Sequence, residues 1–92
     1  MLNRKNKVLK VTGGVQGVCY RASTCQIANE IEIKGYVMNM PDGSVFIEAE
    51  GSEEQLNKMI EWCKQGPKNA LVNELNIQEG TVKGFIEFKI HY

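Results

Sequence analysis

Apolar positions along the chain follow two periods. Residues 7–12, KVLKVT, alternate and carry β-branched side chains, which predicts a first strand. A glycine-rich turn, GGVQG, follows it. Over residues 22–33 the spacing changes. Ile27, Ala28 and Ile31 share one helical face and Gly35 stands just past the end, which predicts a first helix. YVMNM (36–40) and SVFIEAE (44–50) flank Pro41-Asp42-Gly43, a turn in which proline presets φ, aspartate caps and glycine takes the left-handed position. In the second arm Val45, Ile47 and Ala49 alternate with Phe46, Glu48 and Glu50, so one face is expected to be buried and the other wet. Ser52-Glu53-Glu54-Gln55 is a capping-box pattern, and Leu56, Met59, Ile60 and Cys63 then form one helical stripe that Gly66-Pro67 stops. Residues 70–78 and 85–91 predict two more strands around a loop at Gly80 and Gly84, and residues 1–6 read as a frayed polar start.

The order β-α-β-β-α-β-β contains two split βαβ units whose crossovers are expected to be right-handed. They predict an α+β, ferredoxin-like βαββαβ sandwich. Its antiparallel sheet has four to five strands, with both helices on one face. Ninety-two residues, 42% of them hydrophobic, suit one domain over residues 1–92.

Composition narrows the chemistry. Eleven Lys+Arg balance eleven Asp+Glu. That argues against a coat for nucleic acid or an anionic membrane. No apolar run approaches the ~18 residues of a membrane span. No apolar segment follows the basic start, and cysteines 19, 25 and 63 form no CxxC pair. Reduced thiols in the cytoplasm are therefore expected. The one histidine, His91, and the one aspartate, Asp42, leave little for a Ser-His-Asp triad, and no GxSxG elbow is present. No HExxH, Cys/His cluster or Asp-rich loop offers a metal site. Only Cys19 precedes Arg21, too closely for a cysteine-phosphatase loop. An enzyme built from this inventory is expected to use neither metal nor covalent intermediate.

The informative segment runs from Gly13 to Arg21, GGVQGVCYR. Its glycines let successive amides turn into one concavity, and the next helix adds unpaired amides and its positive dipole end. Arg21 stands at that entrance with a fork that fits two phosphoryl or carboxylate oxygens. The alternative is a tight strand-to-helix connection followed by a surface arginine. The spacing matches neither GxGxxG nor GxxxxGK[ST].

G-G-V-Q-G-V-C-Y-R resembles the signature of the acylphosphatase family, G-x-V-Q-G-V-x-F/Y-R. Gly35-Tyr36-Val37-Met38-Asn39, then Asp42-Gly43-Ser44-Val45 and Gly51, resembles its second signature, and the run Gly66-Pro67-x-x-Ala70-x-Val72 is also similar. The resemblance covers roughly residues 7–92. It implies a ferredoxin-like fold and hydrolysis of the carboxyl-phosphate bond of acyl phosphates, with no metal and no organic cofactor. By position it implies that Arg21 binds the substrate phosphate and Asn39 holds the attacking water. The backbone amides of Val15, Gln16, Gly17, Val18, Cys19 and Tyr20 would line the cradle.

The inventory suits that chemistry. The leaving carboxylate has a conjugate acid of pKa roughly 4, so it departs without prior protonation. An alkoxide, with an alcohol pKa about 16, would need a general acid. Three positions depart from the family pattern. Gly14 stands where Arg, Lys or His is frequent, Cys19 where Gly or Phe is common, and Met38 where a basic residue or Gln is frequent. Weaker ground-state phosphate binding is expected from Gly14. Cys19 is expected to pack beside the loop; a thiol activated by the helix end and Arg21 is the alternative. Cys25, Cys63 and Trp62 are expected in or beside the core. Glu48 and Glu50 are expected on a solvated face, His91 at the surface, and Arg4, Lys5 and Lys7 in a solvated tail. The competing functions are a non-catalytic phosphate-binding module and an RNA-binding domain of the same fold. The second lacks aromatics on strand 1. The chain, ending at Tyr92, reads as a free-standing monomer whose partner is a small acyl phosphate, with no nucleic acid and no membrane.

Overall fold

The computed structural model describes residues 3–92; the first two residues of the expected frayed start lie outside it. The elements are β1 (Lys5–Gly14), α1 (Tyr20–Glu30), β2 (Lys34–Asn39), β3 (Val45–Gly51), α2 (Glu53–Gln65), β4 (Leu71–Glu79) and β5 (Phe88–His91). The five strands form one sheet in the order β4-β1-β3-β2-β5. β1 pairs antiparallel with β3 and β4, and β2 pairs antiparallel with β3. The β2–β5 joint is parallel, so the sheet is mixed where an antiparallel one was expected. Five strands and two helices in this order make the ferredoxin-like α+β sandwich.

Period-two alternation decides the two sheet faces. Leu9, Val11, Val37, Val45, Ile47 and Ala49 are buried on the helix side. Leu56, Met59 and Cys63 of α2 and Tyr20 and Ala28 of α1 close over them. Ile27, Ile31, Cys25 and Trp62 pack at the rim of this core. Burial pushes the Cys63 thiol up to about 12, so it stays protonated.

Both ends of α1 differ from the pattern reading. It starts at Tyr20, because the Tyr20 ring is pinned in the core. The ring lies 5.4 Å from Trp62 and its hydroxyl donates to the Cys63 carbonyl at 2.9 Å. It stops at Glu30. Glu32 takes a left-handed φ of 65°, Glu32 N–H donates to Asn29 O and Ile33 N–H donates to Ala28 O. This is a Schellman ending with glutamate in the position usually held by glycine, and it delivers Ile33 to the core. α2 carries the expected box: Ser52 Oγ accepts from Gln55 N–H and Gln55 Oε1 accepts from Ser52 N–H.

The far face of β3 is not wet. Residues 80–87, the first part of which was expected as loop and the rest as strand, cross it as a strap. Glu50 is 0% and Glu48 5% exposed. Glu50 accepts the amides of Lys83, Gly84 and Phe85, the Asn6 side chain at 2.8 Å and Arg4 Nη1 at 3.3 Å. Glu48 accepts Asn6 Nδ2 at 2.9 Å and Lys83 Nζ. Burial raises both pKa values, but these donors outweigh it and hold both carboxyls below their ordinary range. Because the amides of Lys83, Gly84 and Phe85 go to Glu50, that part of the strap runs over the sheet rather than in it, and the bonding to β2 begins at Glu87, whose carbonyl accepts from Gly35 N–H at 2.9 Å. The expected tail is likewise structured: Asn6 is buried within β1, Lys7 pairs with Glu79, and Lys5 lies 3.1 Å from Glu53. No helix among the described residues is long and apolar enough to cross a membrane.

Candidate active site

β1 carries an irregularity between Thr12 and Gly13, beyond which Gly13 and Gly14 still pair with Val72 and Leu71 of β4. Gly13 has φ 125°, and a side chain there would meet the Leu71 carbonyl oxygen at 2.1 Å, so only glycine lets β1 and β4 stay paired at this point. The loop then turns through Gly17 at φ 77° and Cys19 at φ 65°. These two left-handed residues reverse the backbone, and α1 starts with no side-chain cap and no acidic residue in its first turn. The amides from Gln16 to Ala22 find no hydrogen-bond partner among the described residues, whereas Ser23 N–H already donates to Cys19 O. Unpaired amides with a helix end behind them make a positive concavity.

The Val15 amide is not part of it, because it donates back to Gly13 O at 3.0 Å. Val15 and Tyr20 contribute buried side chains beneath the loop, and Val18 packs against the core. Gln16 has a role that the spacing did not announce. Its Nε2 donates to the carbonyls of Met40 at 2.9 Å and Ser44 at 2.8 Å, bracing the loop against the β2–β3 turn. That turn is tied further. Asp42 Oδ1 accepts from Ser44 N and Oγ, and Lys10 Nζ lies 2.9 Å from Asp42 Oδ2. The Ser44 hydroxyl first, and then Lys10, hold the Asp42 carboxyl far below the usual carboxylate range. Asn39, the last residue of β2, stands at the foot of this braced turn, paired with Val45.

A cleft of about 170 Å³ brings the parts together. Gly17, Cys19, Arg21, Asn39, Ile90 and Tyr92 are among the residues that line it. Loop, helix start, β2 end and β5 end therefore converge on one hollow. Arg21 reaches it from the first turn of α1. No carboxylate among the described residues pairs with Arg21. Its Nη1 donates to the His91 carbonyl at 3.1 Å, and the Tyr92 ring lies 4.9 Å from its guanidinium carbon. Cys19 is exposed at the cleft edge rather than packed beside the loop, because its left-handed backbone turns it outward. Among the described residues no group of three His, Cys, Asp or Glu is placed to hold a metal ion.

The fold is thus a ferredoxin-like α+β sandwich whose first strand is followed by unpartnered loop amides and an arginine that pairs with no carboxylate among the described residues. Comparison with known proteins makes the class specific. The acylphosphatase family model matches residues 7–90. An acylphosphatase of Thermotoga petrophila is 44% identical over 84 residues, covering 91% of this chain and 93% of that protein. The structure of an acylphosphatase from Coxiella burnetii superposes with a TM-score of 0.93 at 31% identity, over 97% of this chain and 94% of that one. Full-length HypF in its phosphate- and nucleotide-bound form matches all of this chain over 12% of its own length, at 27% identity and a TM-score of 0.90. The chain belongs to the acylphosphatase family.

Proposed function

We propose that this chain hydrolyses the carboxyl-phosphate bond of acyl phosphates, releasing a carboxylate and inorganic phosphate, with no metal or cofactor. Arg21 and the amides of Gln16 to Tyr20 hold the phosphoryl oxygens. Asn39 orients a water for in-line attack. The water oxygen bonds to phosphorus, the bond from phosphorus to the acyl oxygen breaks, and its electron pair leaves with the carboxylate. The water's proton passes to a phosphoryl oxygen of the substrate. A loose phosphoryl-transfer transition state mainly needs its equatorial oxygens held, and that is what an arginine fork and a ring of amides provide. Asn39 can orient water but is too weak a base to take its proton. The partner is a small acyl phosphate, and the working unit is a cytoplasmic monomer of one domain.

The observation that carries this reading is the convergence of Arg21, the unpartnered loop amides and Asn39 on one cleft. The test is hydrolysis of an aryl acyl phosphate in EDTA by the parent, Arg21→Gln and Asn39→Ala. Loss of one group aimed at developing charge costs about 100-fold or more in kcat. Both variants are expected to fall by that amount while keeping the parent's circular dichroism. A folded parent that binds phosphate but turns nothing over would instead establish the binding-module reading.

A further inference from the structure

The Arg21 guanidinium is held from outside its own loop. Its contacts, the His91 carbonyl and the Tyr92 ring, both come from the far end of β5. β5 is four residues long and lies at the sheet edge, bonded only to β2. So short an edge strand opens easily, and the carbonyl that meets Arg21 needs a second anchor. The His91 side chain supplies one. Its imidazole stacks on the Tyr36 ring with centroids 4.5 Å apart and planes 7° from parallel. Tyr36 is itself fixed. Phe85 meets it edge-on at 5.8 Å and Phe46 lies at 6.2 Å.

We infer that His91 is a positioning residue for Arg21: its flat ring, clamped on Tyr36, fixes the end of β5 so that the His91 carbonyl aims the guanidinium into the cleft. The open face of the sheet is thereby coupled to the cleft at its edge. What the position requires is a flat ring rather than a proton donor, which makes the conservative variant phenylalanine. The inference rests on the reading that Arg21 holds the phosphoryl group.

The test compares the parent with His91→Ala, His91→Leu and His91→Phe, with Arg21→Gln, and with His91→Ala combined with Arg21→Gln. Three readouts are taken: calorimetric titration with inorganic phosphate, kcat and KM for an aryl acyl phosphate, and the NMR signal of the Arg21 Nε–H group. His91→Ala and His91→Leu are expected to weaken phosphate binding and raise KM by about fivefold, the effect of one stacked aromatic pair. They should also broaden the Arg21 signal, while the melting temperature falls by no more than the several degrees that loss of one stacked pair accounts for. His91→Phe restores all three readouts, and adding His91→Ala to Arg21→Gln changes nothing further. Leucine serving as well as phenylalanine, or alanine leaving the Arg21 signal and KM at parent values, would overturn the inference. Full phosphate affinity in Arg21→Gln would overturn the underlying reading instead, while the Arg21 signal still reports whether His91 orders the side chain.

Discussion

Gly14 ends β1 exposed, with no left-handed φ, and a Cβ built on it meets only the Leu71 Cβ at an ordinary 3.6 Å. An arginine fits there without strain, unlike at Gly13, where the Leu71 carbonyl blocks any side chain. On the proposed reading, the cradle would hold phosphate with one arginine and neutral amides. A second cation at position 14 would add an exposed ion pair, worth up to about 1 kcal/mol, or roughly fivefold. Gly14→Arg is therefore expected to lower the inhibition constant for inorganic phosphate by a few-fold at low salt, with the gain shrinking as salt rises. Unchanged inhibition would show that position 14 does not face the bound anion. At this scale the motif residues were legible because each side chain or glycine answers a local demand. Gln16 was not, because its partners are carbonyls 24 and 28 residues away.

The two helices are terminated by different means. α2 has both halves of its capping box, and Ser52→Ala is expected to cost about 1 kcal/mol. The turn that closes α1 falls on Glu32, exposed and left-handed at φ 65°. A non-glycine residue there costs ~1–2 kcal/mol, while glycine loses ~0.5–1 kcal/mol of unfolded-state entropy. Glu32→Gly should therefore raise stability, by about 0.5 kcal/mol. Urea midpoints of the two variants should move in opposite directions, and a drop in both would show that the Schellman ending is unstrained. The capping box was readable because its residues are neighbours in the chain. The end of α1 was misplaced by several residues, because the glycine that marks a helix stop stands at Gly35 while glutamate makes the turn.

Across the whole molecule, the strap over the open face joins β1, β3 and the 80–87 segment through two buried carboxylates. Their folded pKa values lie below the unfolded value of about 4.3. The unfolded chain therefore binds more protons as pH falls through that interval. The stabilisation is fully present above the unfolded pKa and is lost as pH falls through the folded values. Stability should be level from pH 7 to about 5 and fall steeply below about 4. Glu50→Gln leaves buried donors facing a poorer acceptor and should cost about 3 kcal/mol at pH 7. The variant should also show a shallower loss in acid. Parallel acid profiles for parent and variant would place the acid sensitivity elsewhere.

Period and local chemistry by themselves determined much of this protein. The strand and helix order, the core face of β3, the hairpin turn, the α2 cap and the phosphate-loop signature all depend on residues a few positions apart. Three features needed the tertiary structure. The outer face of β3 reads as wet in any local pattern, since alternation shows which side chains point away from the core but not what lies over them. The start of β1 reads as a tail until Glu48 and Glu50 are there to receive Asn6 and Arg4. The aim of Arg21 is set by the end of β5, 70 residues further along the chain. Each depends on partners brought together only when the sheet closes, and contacts of that range leave no periodic trace in the sequence.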